Sequence, residues 1–590
     1  MHKFAALAER SAQICAAVAA FVFLISGVVY LYLGRWTVTN LDFWRIYDFC
    51  LNHTWLESAL LKHNGHSLFF PSFFWLTDLR FFHGSQQPLF FAGLVLLFIT
   101  VALLLILVWR DETVGLTAKA MATLVVIVGN FWMARAPITT SGGFNSIGSL
   151  VMAGAGLAVL LLPKLCVSSA RLSSVTLIVV CAGFVASFSF GIGLAIWPTL
   201  LFLVWCLRLP WRSFVPLGVA AVAAMVIYER LPPHSENYSV IQAVGSAGLA
   251  LVAQLCRLAG SPFFFAVSGW HLKPLSAEAA QSSLLSLWCG GAGLAIAVVA
   301  MVLTMIRQDL TKSSLKLIGM ALAAFNFFAM AIVVAGRANH FRAQPFEVAA
   351  PRYLFWSTLF WTGLLLMAIQ SVESKLWLRW PVYLVALALP VLAFPEHYRD
   401  GLNARSGREA AEWGAVSLVN GVRDEQLARP VFGNLELGYR VAGQLRVRRL
   451  DMFADGLQDW IGLGEPNLFG GRHEPEKLKG RCAVTALVHC DNGATAARVV
   501  GQASRHGGSV PKTLVIVDPT GVVRGVARSS TTSRFISRAF YLDKVQRNNF
   551  LGYIHDYNPQ FHYAARSADD RTLSEEKIPV QVGTTEPAKP

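Results

Sequence analysis

Charged side chains are scarce in this chain. Asp, Glu, Lys and Arg make up 14% of its 590 residues, against roughly a quarter in ordinary globular proteins. That shortage, beside 55% apolar residues, excludes a soluble single-domain enzyme and a disordered chain. Acidic residues are rarest where apolar ones are densest. Residues 1–394 hold 13 Asp and Glu beside 24 Lys and Arg, whereas residues 395–590 hold 22 and 26. Other absences narrow the class. None of the nine cysteines forms a C-x-x-C pair, so no zinc ribbon or thioredoxin-like centre is expected. The net charge is +15, yet no Lys/Arg-rich block or aromatic RNA-binding motif is present, so nucleic acid is not an expected partner. No A-x-A-like cleavage site follows the first apolar run, Ser11–Gly34, which reads as an uncleaved anchor with its N-terminus in the cytoplasm. There is no internal repeat.

What is present is a series of apolar runs, each long enough or nearly so to cross a bilayer as a helix of about 20 residues. They lie near 11–34, 87–109, 120–137, 149–163, 174–190, 191–207, 214–228, 286–306, 317–335, 353–370 and 381–394. With the first span leaving the cytoplasm, every short inner loop is basic: Arg110/Lys119, Lys164/Arg171, Arg208/Arg212, Arg307/Lys312/Lys316 and Lys375/Arg379. That is the positive-inside pattern, and it supports eleven crossings. Residues 241–266 are apolar but broken by Arg257, Gly260 and Pro262. One extra crossing there would reverse every later loop, so an interfacial or re-entrant segment on the outer face is expected.

The expected architecture is a polytopic α-helical membrane protein of about eleven transmembrane helices (1–394) with a C-terminal α+β or β-sandwich domain (395–566) in the periplasm. A polar, disordered tail is expected at 567–590. Ser406–Leu418 has the spacing of a connecting helix. KTLVIVDPTGVVRGVARSS reads as strand–turn–strand, with Pro519 and Gly521 at turn positions; CAVTALVHC and QLRVRRLDMF read as strands. Cys482 and Cys490, at the ends of the former, are expected to pair in an oxidising compartment if a turn brings them together. The aromatic stretch Tyr541–Tyr563 suits either sugar stacking or core packing.

Chemistry concentrates in two outer loops. The first, residues 35–87, contains Asp42, Asp48, Glu57 and Asp78, four histidines (His53, His63, His66, His83) and dense aromatics. Aromatics at this density point to helices lying on the bilayer. Asp42 falls about eight residues past the first span, with Arg45 and Asp48 on the next turn, and is the preferred general base; Asp48 is the alternative. His63 and His66 stand in H-x-x-H spacing, too little by itself for a metal site, and no metal or cofactor is expected. The second loop, GRANHFRAQPFEVAAPRY, carries Arg337, His340, Arg342 and Arg352. Guanidinium forks match phosphate oxygens, and three arginines on the outer side run against the positive-inside trend. Asp78, Arg80 and Arg135 complete the candidate set.

An uncleaved first span, a long outer loop with an acidic residue close to the membrane, many further spans and a C-terminal outer domain together resemble the GT-C glycosyltransferases. The segments LKHNGHSLFFPSFFWLTDLRFF, FSFGIGLAIWP and the GR…PRY loop also resemble a group of bacterial membrane proteins whose first segment reads H-N-E-H-R. Gly65 and Ser67 stand where that group has Glu and Arg, so no role of those two is carried over. The resemblance implies an integral inner-membrane enzyme that takes a sugar from a polyprenyl-phosphate donor and passes it to a glycan, lipid or protein acceptor. GT-C enzymes often carry a second acidic residue in the next outer loop; 135–148 has none, which counts against a two-carboxylate or metal-dependent mechanism. On this reading Asp42 deprotonates the acceptor, while Arg337 and Arg352, with His63 or His66, stabilise the departing phosphate. The rivals are an O-antigen ligase or polymerase using polyprenyl diphosphate donors, and a transporter or flippase of a lipid-linked glycan. Spans nearly without charge, with polar groups gathered on one face, favour an enzyme.

Overall fold

The structure, a computed structural model, describes residues 2–134, 142–166, 172–232, 248–271, 277–307, 310–470, 473–474, 478–505, 509–529, 550–569 and 572–581. Two compact units emerge. One comprises Met1–Arg35, Thr54–Trp75 and Pro88–Arg405; the other comprises Trp36–His53, Leu76–Gln87 and Ser406–Pro590. The helices used below are α1 (His2–Leu33), α2 (Phe43–Asn52), α3 (Trp55–Leu60), α4 (Phe69–Phe81), α5 (Gln87–Trp109), α6 (Leu116–Phe131), α7 (Asn145–Leu161), α8 (Leu172–Ser187), α9 (Ile196–Cys206), α10 (Trp211–Arg230), α11 (Leu249–Ser268), α12 (Leu284–Arg307), α13 (Ser314–Gly336), α14 (Ala338–Ala343), α15 (Leu354–Val372), α16 (Leu376–Val419) and α17 (Leu435–Arg448).

The first unit is a helical membrane domain. Among the described residues nine helices are long and apolar enough to cross a membrane, and Leu116–Phe131, Ser174–Ser187 and Gly191–Cys206 are shorter apolar helices. Helix is the only local solution for such runs in lipid, because each backbone N–H and C=O must find its partner inside the segment. Small residues then let helices approach closely. A Cβ on Gly319 of α13 would lie 2.9 Å from the Gly363 carbonyl oxygen of α15, and one on Gly154 of α7 would lie 2.7 Å from the Ala182 carbonyl oxygen of α8. The few polar side chains inside turn back on their own helix, as Asn130 and Asn326 do by donating to the carbonyls four residues earlier.

Helices α1 and α16 run parallel. Arg379 pairs with Glu9 at 2.6 Å, His397 meets Ser26 at 2.9 Å, and Gly401 lies against the Tyr30 ring. Both therefore run in the same direction through the helical unit. Segment 241–266 bears on the same parity. Its described part is the continuous helix α11, packed antiparallel on α12 where Gly260 meets Ser286 and Gly290 meets Cys256. Trp361 of α15 donates to the Ala259 carbonyl at 2.7 Å. Leu258, Ala259, Phe264 and Phe265 of α11 are buried. Pro232, after α10, accepts from the Lys62 amide at 3.0 Å. The chain after it is gripped by Arg399, which donates to the carbonyls of Ser268, Gly269 and His271 near the exit end of α16. Helix α11 is itself among the helices long and apolar enough to cross a membrane, and residues 233–247, which lead into it, lie outside the described residues.

The second unit is built on a sheet. The strands are β1 (Lys62–His63) and β2 (His66–Ser67) in the first unit, and here β3 (Val422–Arg423), β4 (His473–Glu474), β5 (Leu478–Cys490), β6 (Thr495–Arg505), β7 (Thr513–Val517), β8 (Val523–Ser529), β9 (Phe550–Ile554), β10 (Ala564–Ser567), β11 (Leu573–Ser574) and β12 (Ile578–Gln581). Strand order β12-β10-β7-β8-β9-β6-β5 is closed by a parallel pairing of β12 with β5, and β3 adds to β5. The expected α+β domain is present, and closure makes it a barrel, not a sandwich. Val484, Val499, Leu514, Ile516, Phe550 and Ile554 fill its core. Asp518–Gly521 forms the expected turn: the Gly521 amide donates to the Asp518 carbonyl at 3.1 Å, with Gly521 at φ 79°.

Four expectations for this unit are corrected. QLRVRRLDMF is not a strand: its first residues end α17, whose Gly438, Val441, Ala442 and Leu445 make a buried stripe at helical spacing. The tail is ordered as far as Gln581, because Ile578 and Val580 turn inward and β12 pairs with both β10 and β5. Cys482, within β5, and Cys490, at its end, are free and buried, and eight extended residues hold them about 26 Å apart. Helix α2 does not lie on a bilayer: its Phe43, Trp44, Ile46 and Tyr47 are buried in the unit, with Trp44 edge-on to Phe432 at 4.6 Å. Tyr541–Asn549 lie outside the described residues, and in the rest of that aromatic stretch Phe550 and Tyr553 are wholly buried.

Candidate functional site

Three segments singled out in the sequence meet in the first unit. The segment Lys62–Ser67 is a two-stranded hairpin with Asn64 and Gly65 at φ 50° and 77°, the left-handed pair that a two-residue turn demands. It is pinned by Lys62 N donating to the Pro232 carbonyl at 3.0 Å and Ser67 N donating to the Tyr228 hydroxyl at 3.1 Å; that hydroxyl donates to the Gly65 carbonyl at 3.0 Å. The half-buried His66 ring lies 4.2 Å from Phe190. A Cβ on Gly191 would fall 2.7 Å from both His66 Nδ1 and the Tyr228 oxygen, so FSFGIG supplies the one residue that fits there.

The third segment is the arginine loop. Arg337 caps α13 at its C-terminal end, and its guanidinium stands 5.9 Å from the Tyr353 ring; Arg352 stands 5.0 Å from the same ring and is paired with Glu347. Burial first, then the positive charge of Arg337 and then His63, push the His66 imidazole down to about 3. His340 is lowered by burial and by Arg337 as well. His63, His66, Arg337, His340 and Arg352 thus form one electropositive group, in which burial first and then the Arg337 guanidinium lower the His66 and His340 imidazoles. Arg352 is tied to Glu347 and 43% exposed. Arg342 is exposed and Arg135 lies outside the described residues. Tyr228, Tyr353 and Glu347 were not singled out from sequence; only the aromatic ends of FSFG and PRY hinted at rings there.

The acidic candidates belong to the second unit. Asp42 stands at the N-terminal end of α2, exposed, and makes no capping hydrogen bond. Asp48 is paired with Arg440 at 2.7 Å and accepts from Asn52, which leaves it less available as a base. Asp78 is wholly buried and accepts from the Tyr47 hydroxyl at 3.3 Å and the Gln86 amide at 3.1 Å; burial outweighs these bonds and pushes its carboxyl up to about 6. Arg80 is exposed at the end of α4, near Phe81. Asp451 was missed. It sits at φ 55° in a stretch taken for a strand, accepts from the Thr39 amide at 2.8 Å, and is pushed up to about 7 by burial, with Asp78 adding to the rise.

No protein-family model and no curated protein matches the chain. Among solved structures, it is similar to the archaeal oligosaccharyltransferase AglB from Archaeoglobus fulgidus, determined in complex with an inhibitory peptide and a dolichol-phosphate. The identity is 11% and the TM-score 0.36, over 69% of this chain and 58% of that one. The match therefore spans less than two thirds of that protein's length.

Proposed function

We propose that this chain is an inverting membrane glycosyltransferase that moves a sugar from a polyprenyl-phosphate donor to a cell-envelope glycan, lipid or protein acceptor at the periplasmic face of a bacterial inner membrane. The observation that carries this reading is the grouping of Arg337 with the neutral imidazoles of His66 and His340 at one end of the membrane helices. A guanidinium fork binds two phosphate oxygens at once, and a neutral imidazole donates one further N–H without adding a charge that an empty site must tolerate. As the glycosidic bond breaks, negative charge grows on the leaving phosphate, and donors held in place stabilise it. Arg352 adds to the field, moderated by Glu347.

Asp42 is assigned the proton of the acceptor hydroxyl, because its carboxylate is exposed where Asp48 is paired and Asp78 is buried. The barrel is assigned to acceptor recognition. The test is mass spectrometry of envelope glycans from a deletion strain, with transfer measured on the purified protein given a polyprenyl-phosphate sugar. Loss of one glycan, restored by the wild-type gene but not by the Arg337→Ala gene, is expected. Unchanged glycans together with no donor turnover would remove the reading.

A further inference from the structure

We propose that the second unit binds a divalent cation of the calcium type between Asp78 and Asp451. Three short segments, residues 39–40, 78–86 and 451–458, leave five buried side-chain oxygens without a hydrogen-bond partner: Asn40 Oδ1, Asp78 Oδ1, Gln86 Oε1, Asp451 Oδ1 and Gln458 Oε1. Each of these residues is at most 8% exposed, and Asp78 and Gln86 are fully covered. Buried acceptors are normally satisfied, and a lapse of this size in one place requires an explanation.

The geometry ties the segments together. Gln86 donates its backbone amide to Asp78 Oδ2 at 3.1 Å and its side-chain amide to the Tyr47 hydroxyl at 2.5 Å. Tyr47 donates in turn to Asp78, so the unpartnered Gln86 oxygen belongs to a carboxamide held beside that carboxylate. On the opposing segment the Asp451 amide donates to the His83 carbonyl, while Gly84, the next residue, donates to the Asp78 carbonyl at 3.0 Å. A Cβ on Gly84 would lie 3.7 Å from the Asp451 Cβ. Thr39 donates its amide to Asp451 Oδ2, and its hydroxyl bonds the same carboxylate. Arg528, whose charge reaches Asp451, is itself paired with Asp455.

Two carboxylates and several neutral oxygens, with donors bound on one side only, are the ligand chemistry of a hard cation. Calcium takes six to eight oxygens, amide carbonyls among them, in adaptable geometry, whereas magnesium demands a near-octahedral shell and keeps more water. Among the described residues no group of three or more His, Cys, Asp or Glu side chains is arranged to hold a metal; the site proposed takes only two charges from acidic groups and the rest from neutral oxygens. A doubly charged ion would neutralise the pair and fasten the segment after α1 and the end of α4 to the loop after α17. The proposal is independent of sugar transfer.

The test uses the full-length protein in detergent, stripped with EDTA and then titrated with calcium or magnesium chloride. One calcium per chain by elemental analysis, with a rise in melting temperature on the order of 5 °C, is expected for wild type. Asp78→Asn and Asp451→Asn should each lose that rise, and Asp48→Asn should keep it. A wild-type protein that neither retains nor responds to either ion overturns the proposal without recourse to variants. So does a folded Asp451→Asn protein whose response equals that of wild type. A response to magnesium alone would overturn the assignment to calcium.

Discussion

At the scale of single residues, Asp42, Arg337 and His66 make distinct predictions. Asn keeps the shape of Asp but cannot take a proton, so Asp42→Asn should insert and bind donor normally while turnover falls by roughly 10²–10⁴. Asp48→Asn loses an exposed pair with Arg440 and should change turnover little, with stability within about 1 kcal/mol. Arg337→Ala should raise the donor KM roughly 10–100-fold, the scale of a charged hydrogen bond, and Arg337→Lys should recover little because an ammonium has no fork. Full activity of Arg337→Ala would remove it from phosphate binding. For His66 the sign follows from its lowered value. Folded, it takes a proton only near 3, whereas the unfolded side chain does so near its ordinary 6.5. Its contribution to stability is therefore complete above about 6.5 and is lost as pH falls toward 3. Chemical denaturation at pH 7 and pH 5 should show a loss in wild type that is smaller in His66→Leu; equal losses would count against the burial described. These side-chain types were legible as candidates. Their partners were not, because Gly191 and Tyr228 reach the hairpin of His66 from more than a hundred positions away.

Among elements, the packing of α11 on α12 is the most sensitive contact. Gly290 has the Gly260 amide nitrogen 2.6 Å from where a Cβ would sit, whereas Gly218 on α10 has nothing within 4 Å. Gly→Ala normally favours a helix by about 0.5–1 kcal/mol. Gly218→Ala should therefore hold or raise the melting temperature, while Gly290→Ala should lower it through overpacking worth about 1–3 kcal/mol. Equal shifts for both would deny the close approach. Elements were read well where one periodicity dominated, as in β5, β7 and β8. QLRVRRLDMF misled because Leu445, Val447 and Leu450 mimic alternation locally; the helical stripe becomes visible only with Gly438 and Val441 included. The aromatic density of the first outer loop points to helices lying on a bilayer, but the apolar face of α2 meets Phe432 and its neighbours where lipid was expected. Amphipathicity states that a face is covered and does not state by what.

For the whole molecule, topology is the testable property. In a cysteine-free background, Gly65→Cys, Pro232→Cys and His271→Cys should all be labelled by an impermeant maleimide from one side, and alkaline phosphatase fused after residue 590 should be active. Labelling of Pro232→Cys and His271→Cys from opposite sides would make α11 a crossing and break the re-entrant assignment. Barrel closure is testable too: Ile578, 2% exposed in the core, replaced by Asp should open the second unit to limited proteolysis, since a lone buried charge is costly. By itself the sequence determined that the chain is a multi-pass membrane protein with a separate, water-adapted C-terminal part, because hydropathy and the placement of Lys and Arg are local and additive along the chain. It also marked the three segments that carry His66, Gly191 and Arg337. Only the tertiary structure decided that these three meet, that β12 shuts a barrel, and that Asp451 joins Asp78 in a buried oxygen-rich site. Each of those outcomes depends on contacts between residues more than a hundred positions apart or on strand closure, and no local pattern of hydrophobicity or charge encodes such pairings.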